Sequence, residues 1–150
     1  MMNAKHILFL VLLLARLASA QSVNHGPTEF SFKIITWGPS GQTWMEITYK
    51  DGMLSKLVND NQPRKDDQTI DTTPTAAQWL AFRKTLDEIG VWKWKNKYDV
   101  GYVRPPGIRA GSSFDLVLKF PGRKIKISGV VKEPESFDRF KAAVDKLFAN

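Results

Sequence analysis

Basic and aromatic side chains alternate in one segment of this sequence, residues 92–98, which reads Trp-Lys-Trp-Lys-Asn-Lys-Tyr. In an extended chain this alternation places Trp92 and Trp94 on one side and Lys93 and Lys95 on the other. Lysine and arginine side chains bind phosphates and carboxylates, and indole rings stack on bases or sugar faces. The segment and the loop after it therefore predict a site for an anionic ligand, with the candidate residues Trp92, Lys93, Trp94, Lys95, Lys97, Tyr98, Arg104 and Arg109.

The charge distribution agrees with this prediction, but a structural role for the rings is also open. Residues 74–110 contain seven basic and three acidic residues, whereas residues 28–73 contain five basic and seven acidic ones. In the structural alternative, Trp92 and Trp94 cover the end of the preceding helix while the lysines stay solvated. A tryptophan buries a large apolar area whether or not it binds a ligand, so the sequence leaves both interpretations open.

Other kinds of chemical site find little support in the residues. The chain has no cysteine, and its two histidines, His6 and His25, both lie near the amino end, which disfavours thiol nucleophiles, Cys/His zinc sites and a Ser–His–Asp triad. Glu46 and Asp115 lie on predicted strands, opposite the main apolar rows, and are the first candidates for a hydrolase that uses paired carboxylates. Solvated strand residues are the simpler interpretation of both. One polar loop offers oxygen ligands for calcium without the spacing of an EF-hand, on Asn59, Asp60, Asn61, Asp66 and Asp67. We expect no cofactor, no metal and no enzymatic activity.

The first 20 residues have the features of a cleavable signal peptide. Lys5 precedes an apolar run at residues 7–15, and Ala18-Ser19-Ala20 is a cleavage site. That run is about 14 Å long as a helix, too short for a hydrocarbon core of about 30 Å. We therefore expect cleavage after Ala20 and a periplasmic or secreted protein without stable membrane insertion. Loss of the leader lowers the formal net charge from +7 to +5.

Residues 21–27 are predicted to be a flexible lead-in, and residues 28–150 a single domain. Period-two alternation predicts strands before and after the Asp51-Gly52 turn and on both sides of Pro121-Gly122, with a further short edge strand at residues 68–72. Residues 91–95 are predicted to be extended. The order β-β-β-α-β-β-α predicts an α+β fold in which an antiparallel sheet of five to six strands carries two helices on one face.

Two helices are predicted from their end signals and apolar stripes. The first has Thr73 as its N-cap, Pro74 in its first turn and Gly90 at its end. Its apolar stripe consists of Trp79, Phe82, Leu86 and Ile89. The second begins at Pro134 and has an apolar face that consists of Phe137, Phe140, Val144, Leu147 and Phe148.

Four short patterns within residues 74–148 resemble a group of small exported bacterial proteins of unassigned function. They are Gln78-Trp79-x-x-Phe82, Leu86-Asp87-x-x-Gly90-Val91-Trp92-x-Trp94, Gly111-Ser112-Ser113-Phe114-x-Leu116 and Phe137-x-x-Phe140. The resemblance implies an α+β fold and an exported protein, and it implies no activity.

These observations predict a non-enzymatic binding or interaction protein of the bacterial cell envelope. The expected partner is an anionic polymer or an acidic protein. One alternative is an inhibitor or immunity-type protein that blocks an envelope enzyme. A carboxylate-dependent hydrolase is the other, less favoured alternative.

Overall fold

A computed structural model describes residues 26–39, 41–59, 68–99 and 111–149. The predicted signal peptide, most of the predicted lead-in and the polar loop at residues 60–67 lie outside the described residues. Of the lead-in, Gly26 and Pro27 are described, and both are buried.

Seven strands and two helices make up the described chain, which therefore has the predicted α+β class. The strands are β1 (Glu29–Gly38), β2 (Gly41–Lys50), β3 (Met53–Asn59), β4 (Gln68–Thr72), β5 (Lys97–Tyr98), β6 (Gly111–Phe120) and β7 (Arg123–Val130). The helices are α1 (Ala76–Glu88) and α2 (Phe137–Asp145), and a 3₁₀ turn spans Val91–Lys93.

The sheet differs from the prediction in its strand count and in one pairing. All seven strands form one sheet in the order β4-β3-β2-β1-β6-β7-β5. β5 pairs in parallel with β7, whereas the other neighbours pair antiparallel. The prediction of five to six antiparallel strands is therefore wrong, because the two-residue β5 forms only through contact with a strand far along the chain. The edge strand predicted at residues 68–72 is present as β4.

The turn between β2 and β3 has the conformation that its sequence requires. Asp51 and Gly52 have φ values of 52° and 86°, which match the left-handed positions of a two-residue hairpin turn. Tyr49 lies opposite Leu54, which is the register that a two-residue turn at Asp51 and Gly52 requires.

The centre of the sheet is formed by residues far apart in the chain. Phe32 of β1 lies opposite Ile47 of β2 on one side and Leu116 of β6 on the other. All three side chains are fully buried. The pairing of β1 with β6 therefore joins the two hairpins through one continuous apolar row.

Helix α1 begins two residues later than predicted. Thr75, and not Thr73, is its N-cap: the Thr75 side chain accepts a hydrogen bond of 3.2 Å from the N–H of Gln78, and the Gln78 side chain accepts one of 2.8 Å from the N–H of Thr75. This reciprocal capping box satisfies two backbone donors at once, and it leaves Pro74 before the helix. The end is as predicted, because Gly90 has a φ of 66° and follows Ile89, the C-cap of α1.

Helix α2 also begins later than predicted, at Phe137 instead of Pro134. A turn at residues 135–136 separates the proline from the helix. Within that turn Ser136 is left-handed, with a φ of 66°, so the chain enters α2 by a reversal.

Both helices pack on the same face of the sheet. The ring centroids of Phe30 and Phe82 lie 5.9 Å apart, and those of Phe32 and Phe140 lie 5.3 Å apart in an edge-to-face arrangement. Phe82 of α1 and Phe140 of α2 also contact each other, at 6.3 Å. No helix of the described residues covers the opposite side, which we call the helix-free face.

The described helices are short. None of them combines the length and the apolar composition that crossing a membrane requires.

Candidate anion-binding surface

Residues 91–95 do not form the extended segment that was predicted. Val91–Lys93 form a 3₁₀ turn, in which the N–H groups of Lys93 and Trp94 donate to the carbonyl oxygens of Gly90 and Val91 at 2.9 and 3.1 Å. The turn follows from the left-handed Gly90, which reverses the chain after α1 and directs Val91 into the core, where it is fully buried. As a result, the two tryptophan rings of the segment contact different parts of the core.

Trp92 is fixed at the end of α1 through both its ring and its N–H group. Its ring lies edge-to-face with Phe120 at 6.3 Å between centroids, and the guanidinium carbon of Arg123 lies 5.4 Å from the ring centroid. Its Nε1 donates a hydrogen bond of 2.7 Å to Asp87, which also accepts one from Arg123. The hydrogen bond from Trp92 is the main cause that lowers the pKa of Asp87. Slight desolvation opposes the lowering, and the hydrogen bond and charge of Arg123 add to it.

Trp94 and Tyr98 also contact the core. The ring centroid of Trp94 lies 6.1 Å from that of Phe137 and 5.9 Å from that of Phe140. The half-buried Tyr98 accepts a hydrogen bond of 3.0 Å at its hydroxyl from the N–H of Lys95. In the structural alternative both tryptophans cover the end of α1. Trp92 does so, whereas Trp94 packs against α2 instead.

The lysines of the same segment point into solvent. Lys93, Lys95 and Lys97 are all exposed, and Lys97 forms an ion pair with Asp99. The predicted site residues Arg104 and Arg109 lie outside the described residues. The segment therefore uses its rings for packing and presents its ammonium groups at the surface.

Lysines continue from this segment across the helix-free face. The pairing of β5 with β7 places Lys97 opposite Ser128. Lys124 and Lys126 project from the same face of β7, and Lys119 of β6 lies opposite Lys124. We call Lys97, Lys119, Lys124 and Lys126 the lysine strip, and all four are exposed.

The charge of the lysine strip is only partly compensated. Lys119 and Lys124 lie directly opposite each other, and like charges in this arrangement destabilise an antiparallel sheet. Glu29 of β1 offsets part of this repulsion, because its Oε2 lies 3.4 Å from Nζ of Lys124. On β5, β6 and β7, whose residues are all described, the helix-free face carries the four lysines and a single carboxylate, Asp115.

A groove of about 320 Å³ lies beside the lysine strip. Polar side chains of four residues line it, Asn96, Asp115, Lys126 and Ser128, together with the apolar Val117. The ammonium, amide and hydroxyl groups are hydrogen-bond donors that suit a phosphate, sulfate or carboxylate group, whereas the carboxylate of Asp115 repels an anion at its own side of the groove.

The two carboxylates considered for catalysis lie on the helix-free face, on either side of Lys33. Glu46 of β2 and Asp115 of β6 are both in register with Lys33 of β1. Two strand spacings, about 9.6 Å, separate their backbones. Lys33 therefore occupies the position between the two carboxylates, where a hydrolase would bind its substrate.

Acidic residues do not cluster in the described chain. Among those residues no three His, Cys, Asp or Glu side chains lie close enough together to hold a metal ion. Of the loop considered for calcium, only Asn59 is described.

No protein-family model and no curated protein matches this chain. The resemblance of residues 74–148 to a group of small exported bacterial proteins therefore stays a prediction.

Two tryptophans that were not predicted as site residues lie on the helix-free face. Trp37 of β1 and Trp44 of β2 are both half-buried. Strand alternation could have identified them: Met45 faces the helices with Ile47, so Trp44 must face the other way. By the same alternation, Trp37 lies on the face of β1 opposite to that of Phe32.

Proposed function

We propose that this protein is an exported, non-enzymatic binding protein of the bacterial cell envelope, and that the lysine strip binds an anionic polymer or an acidic protein. The observation that carries the proposal is the arrangement of the strip. Four exposed ammonium groups project from three neighbouring strands, on whose helix-free face Asp115 is the single carboxylate. Lys124 pairs with Glu29 of β1 and Lys97 with Asp99, and Lys119 and Lys126 have no ion pair among the described residues. Neighbouring strands are about 4.8 Å apart, so one extended anionic chain can contact several of these groups.

Regular strands hold these charges better than a loop would. The backbone of β6 and β7 is fixed by the ladder, so a ligand orders only the lysine side chains when it binds. Each ammonium group that neutralises an anion on a polymer releases a condensed counterion, and this favours binding at low salt. The same field attracts an acidic protein and speeds its association.

In this proposal residues 92–98 contribute their lysines to the anionic surface, but not their aromatic rings. Their rings anchor the turn to the core, and Lys93 and Lys95 are exposed near the end of the strip that Lys97 forms. Arg104 and Arg109, which follow in the sequence, remain candidates for the same anionic partner.

Of the two alternative functions, an inhibitor and a hydrolase, only the inhibitor is compatible with this proposal. An inhibitor or immunity-type protein is one form of the acidic-protein partner, with the lysine strip placed over an acidic cleft of an envelope enzyme. A carboxylate-dependent hydrolase is disfavoured, because Lys33 stands between Glu46 and Asp115.

A charge-matched pair of double variants tests the proposal. Lys124→Ala with Lys126→Ala removes two charges from the strip, and Lys84→Ala with Lys146→Ala removes two exposed charges from α1 and from the residue after α2. Binding to heparin, single-stranded DNA and polyglutamate is titrated over a range of salt concentrations. We expect the strip variant to weaken binding about tenfold and to lower the slope of log K against log salt by about 1.5. Equal effects of the two double variants, or no binding by the wild type at physiological salt, would contradict the proposal.

Export is tested by the mass of the protein recovered from cells. We propose that Gln21 is the first residue of the periplasmic or secreted form, because the cleavage site ends at Ala20. Recovery of an intact form that begins at Met1 from the membrane fraction would contradict this.

A further inference from the structure

The helix-free face carries aromatic side chains at the end opposite the lysine strip. The ring of Trp37 lies against Gly111, the residue paired with it on β6. A Cβ atom on Gly111 would lie 2.8, 2.9 and 3.0 Å from Cζ2, Cε2 and Nε1 of Trp37. These short distances show that the indole edge formed by these three atoms lies over Gly111. Only glycine leaves room for this ring position.

Trp44 extends the aromatic surface onto β2. It lies opposite Ile35 of β1, and both residues are half-buried. Nζ of Lys33 lies 5.9 Å from the centroid of the Trp44 ring. We call Ile35, Trp37 and Trp44 the aromatic platform.

A row of polar side chains crosses the sheet beside the platform. In register across five neighbouring strands it consists of Glu46, Lys33, Asp115, Ser128 and Lys97. Hydrogen-bond acceptors and donors alternate along the row. Glu46 and Asp115 accept, Lys33 and Lys97 donate, and the hydroxyl of Ser128 does both. No ion pair joins Lys33 to Glu46 or Asp115, all three of which are described residues. We call these five residues the polar row.

We propose that the aromatic platform and the polar row bind a glycan chain. A sugar ring has an apolar face of C–H groups that stacks on an indole, and its hydroxyl groups both donate and accept hydrogen bonds. The alternating donors and acceptors of the polar row match those hydroxyl groups, while the platform supplies the stacking surface.

Nucleic acid fits the same surface less well. Its bases stack on tryptophan, but its phosphates need donors alone, and the polar row places the carboxylates of Glu46 and Asp115 on both sides of Lys33. Sugar hydroxyls carry no charge, so these two carboxylates accept hydrogen bonds from a glycan without repelling it. The charge pattern next to the platform therefore favours a glycan.

The two sites can be tested separately, although they share Lys97 and the groove beside the strip shares Asp115 and Ser128 with the polar row. The platform belongs to the glycan site alone, and Lys124 and Lys126 belong to the anionic site alone. The test titrates the full exported protein with cello-, N-acetylchito- and xylo-oligosaccharides, all of them uncharged, by calorimetry and tryptophan fluorescence. We expect at least one of them to bind, and we expect Trp44→Ala to weaken that binding about tenfold or more. Trp44→Phe, which keeps a stacking ring, should retain most of the affinity. Leu80→Ala, which shortens an exposed apolar side chain on α1, should leave the affinity unchanged.

Several outcomes overturn the glycan proposal. One is that none of the three oligosaccharides binds at millimolar concentration. Another is equal binding by the wild type and by a folded Trp44→Ala variant, with the fold checked by circular dichroism. A third is that Trp44→Ala abolishes binding to single-stranded DNA while the oligosaccharides do not bind, which would assign the platform to nucleic acid. The strip variant Lys124→Ala with Lys126→Ala should leave oligosaccharide binding intact, so failure of this proposal and failure of the anionic site are distinguishable.

Discussion

The indole N–H of Trp92 donates a hydrogen bond of 2.7 Å to a carboxylate oxygen of Asp87, five residues earlier in the chain. Arg123, at the start of β7, donates to the same oxygen and lies over the Trp92 ring. One carboxylate thus links the last turn of α1, the 3₁₀ turn and the β6–β7 hairpin. The orientation of Trp92 is therefore set by polar contacts as well as by packing against Phe120.

Asp87 makes the stability of the domain depend on pH in the acid range. Because its pKa is lowered in the folded protein, its contribution is fully present above the ordinary carboxyl pKa of about 4 and is lost as the pH falls through the lowered value. Asp87→Asn keeps an acceptor for Trp92 but removes the charge. We expect urea unfolding to show a less stable variant at pH 7, and the difference from the wild type to shrink as the pH falls below about 4.

Glu135→Gln is the control for Asp87→Asn, because Glu135 is an exposed carboxylate in the turn before α2. It should leave the free energy of unfolding nearly unchanged at both pH values. A difference between Asp87→Asn and the wild type that stays constant from neutral to acid pH would contradict the role given to the Asp87 charge.

A second prediction concerns the stability that the two helices gain from their shared core. Leu86 and Phe140 are both fully buried, so truncation of either to alanine leaves a cavity beneath the sheet. Each variant should lower the free energy of unfolding by about 2–5 kcal/mol. Leu80→Ala, on the exposed side of α1, should change it by less than about 1 kcal/mol. Denaturant midpoints of Leu86→Ala and Phe140→Ala that equal that of the wild type would contradict the packing.

Local signals in the sequence predicted the elements whose ends are set by nearby residues. The turn at Asp51 and Gly52 set the register that places Tyr49 opposite Leu54, and Gly90 ended α1 as predicted. The cap of α1 was misplaced because Pro74 suggested a start at Thr73. The pattern Thr75-x-x-Gln78, a capping box, was the better signal.

Long-range pairing could not be predicted from the residues alone. Neither the pairing of β1 with β6 nor the parallel pairing of β5 with β7 follows from a local pattern, because both join segments far apart in the chain. The lysine strip depends on this second pairing. Alternation with the apolar Ile125 and Ile127 is enough to place Lys124 and Lys126 on the outer face of their strand, but no local pattern places them beside Lys97.

Val131 has a backbone conformation that its side chain disfavours. Its φ is 63°, a left-handed value that costs a β-branched residue about 1–2 kcal/mol. The residue is 39% exposed, so a polar replacement loses little apolar burial. Val131→Asn should raise the free energy of unfolding by about 1 kcal/mol, because asparagine tolerates this conformation.

The neighbouring valine is the control for Val131→Asn. Val130 lies within β7, is half-buried and has no positive φ, so Val130→Asn should lower the stability. Urea unfolding of both variants measures the difference. Two variants that are destabilised equally would show that the left-handed conformation of Val131 carries no strain.

In residues 92–98 the aromatic rings stabilise the fold and the lysines are available for binding. Substitutions can distinguish these two roles. Trp94 contacts Phe137 and Phe140, so Trp94→Ala should lower the free energy of unfolding by about 2–4 kcal/mol. Replacement of Lys93, Lys95 and Lys97 together by alanine removes exposed side chains and an exposed ion pair. It should therefore change the stability by less than about 1 kcal/mol.

Binding measurements complete the comparison, because the two variants should then act in the opposite order. The triple-lysine variant should bind heparin more weakly than the wild type, with a shallower salt dependence, since it has lost up to three contacts to anionic groups. Trp94→Ala, measured well below its melting temperature, should bind heparin like the wild type, because its ring faces the core. If Trp94→Ala instead weakened binding by about 1–3 kcal/mol while it remained folded, the ring would belong to the ligand site as well as to the core. Wild-type affinity in the triple-lysine variant would exclude the segment, Lys97 included, from the anionic surface and leave Lys119, Lys124 and Lys126 to form it.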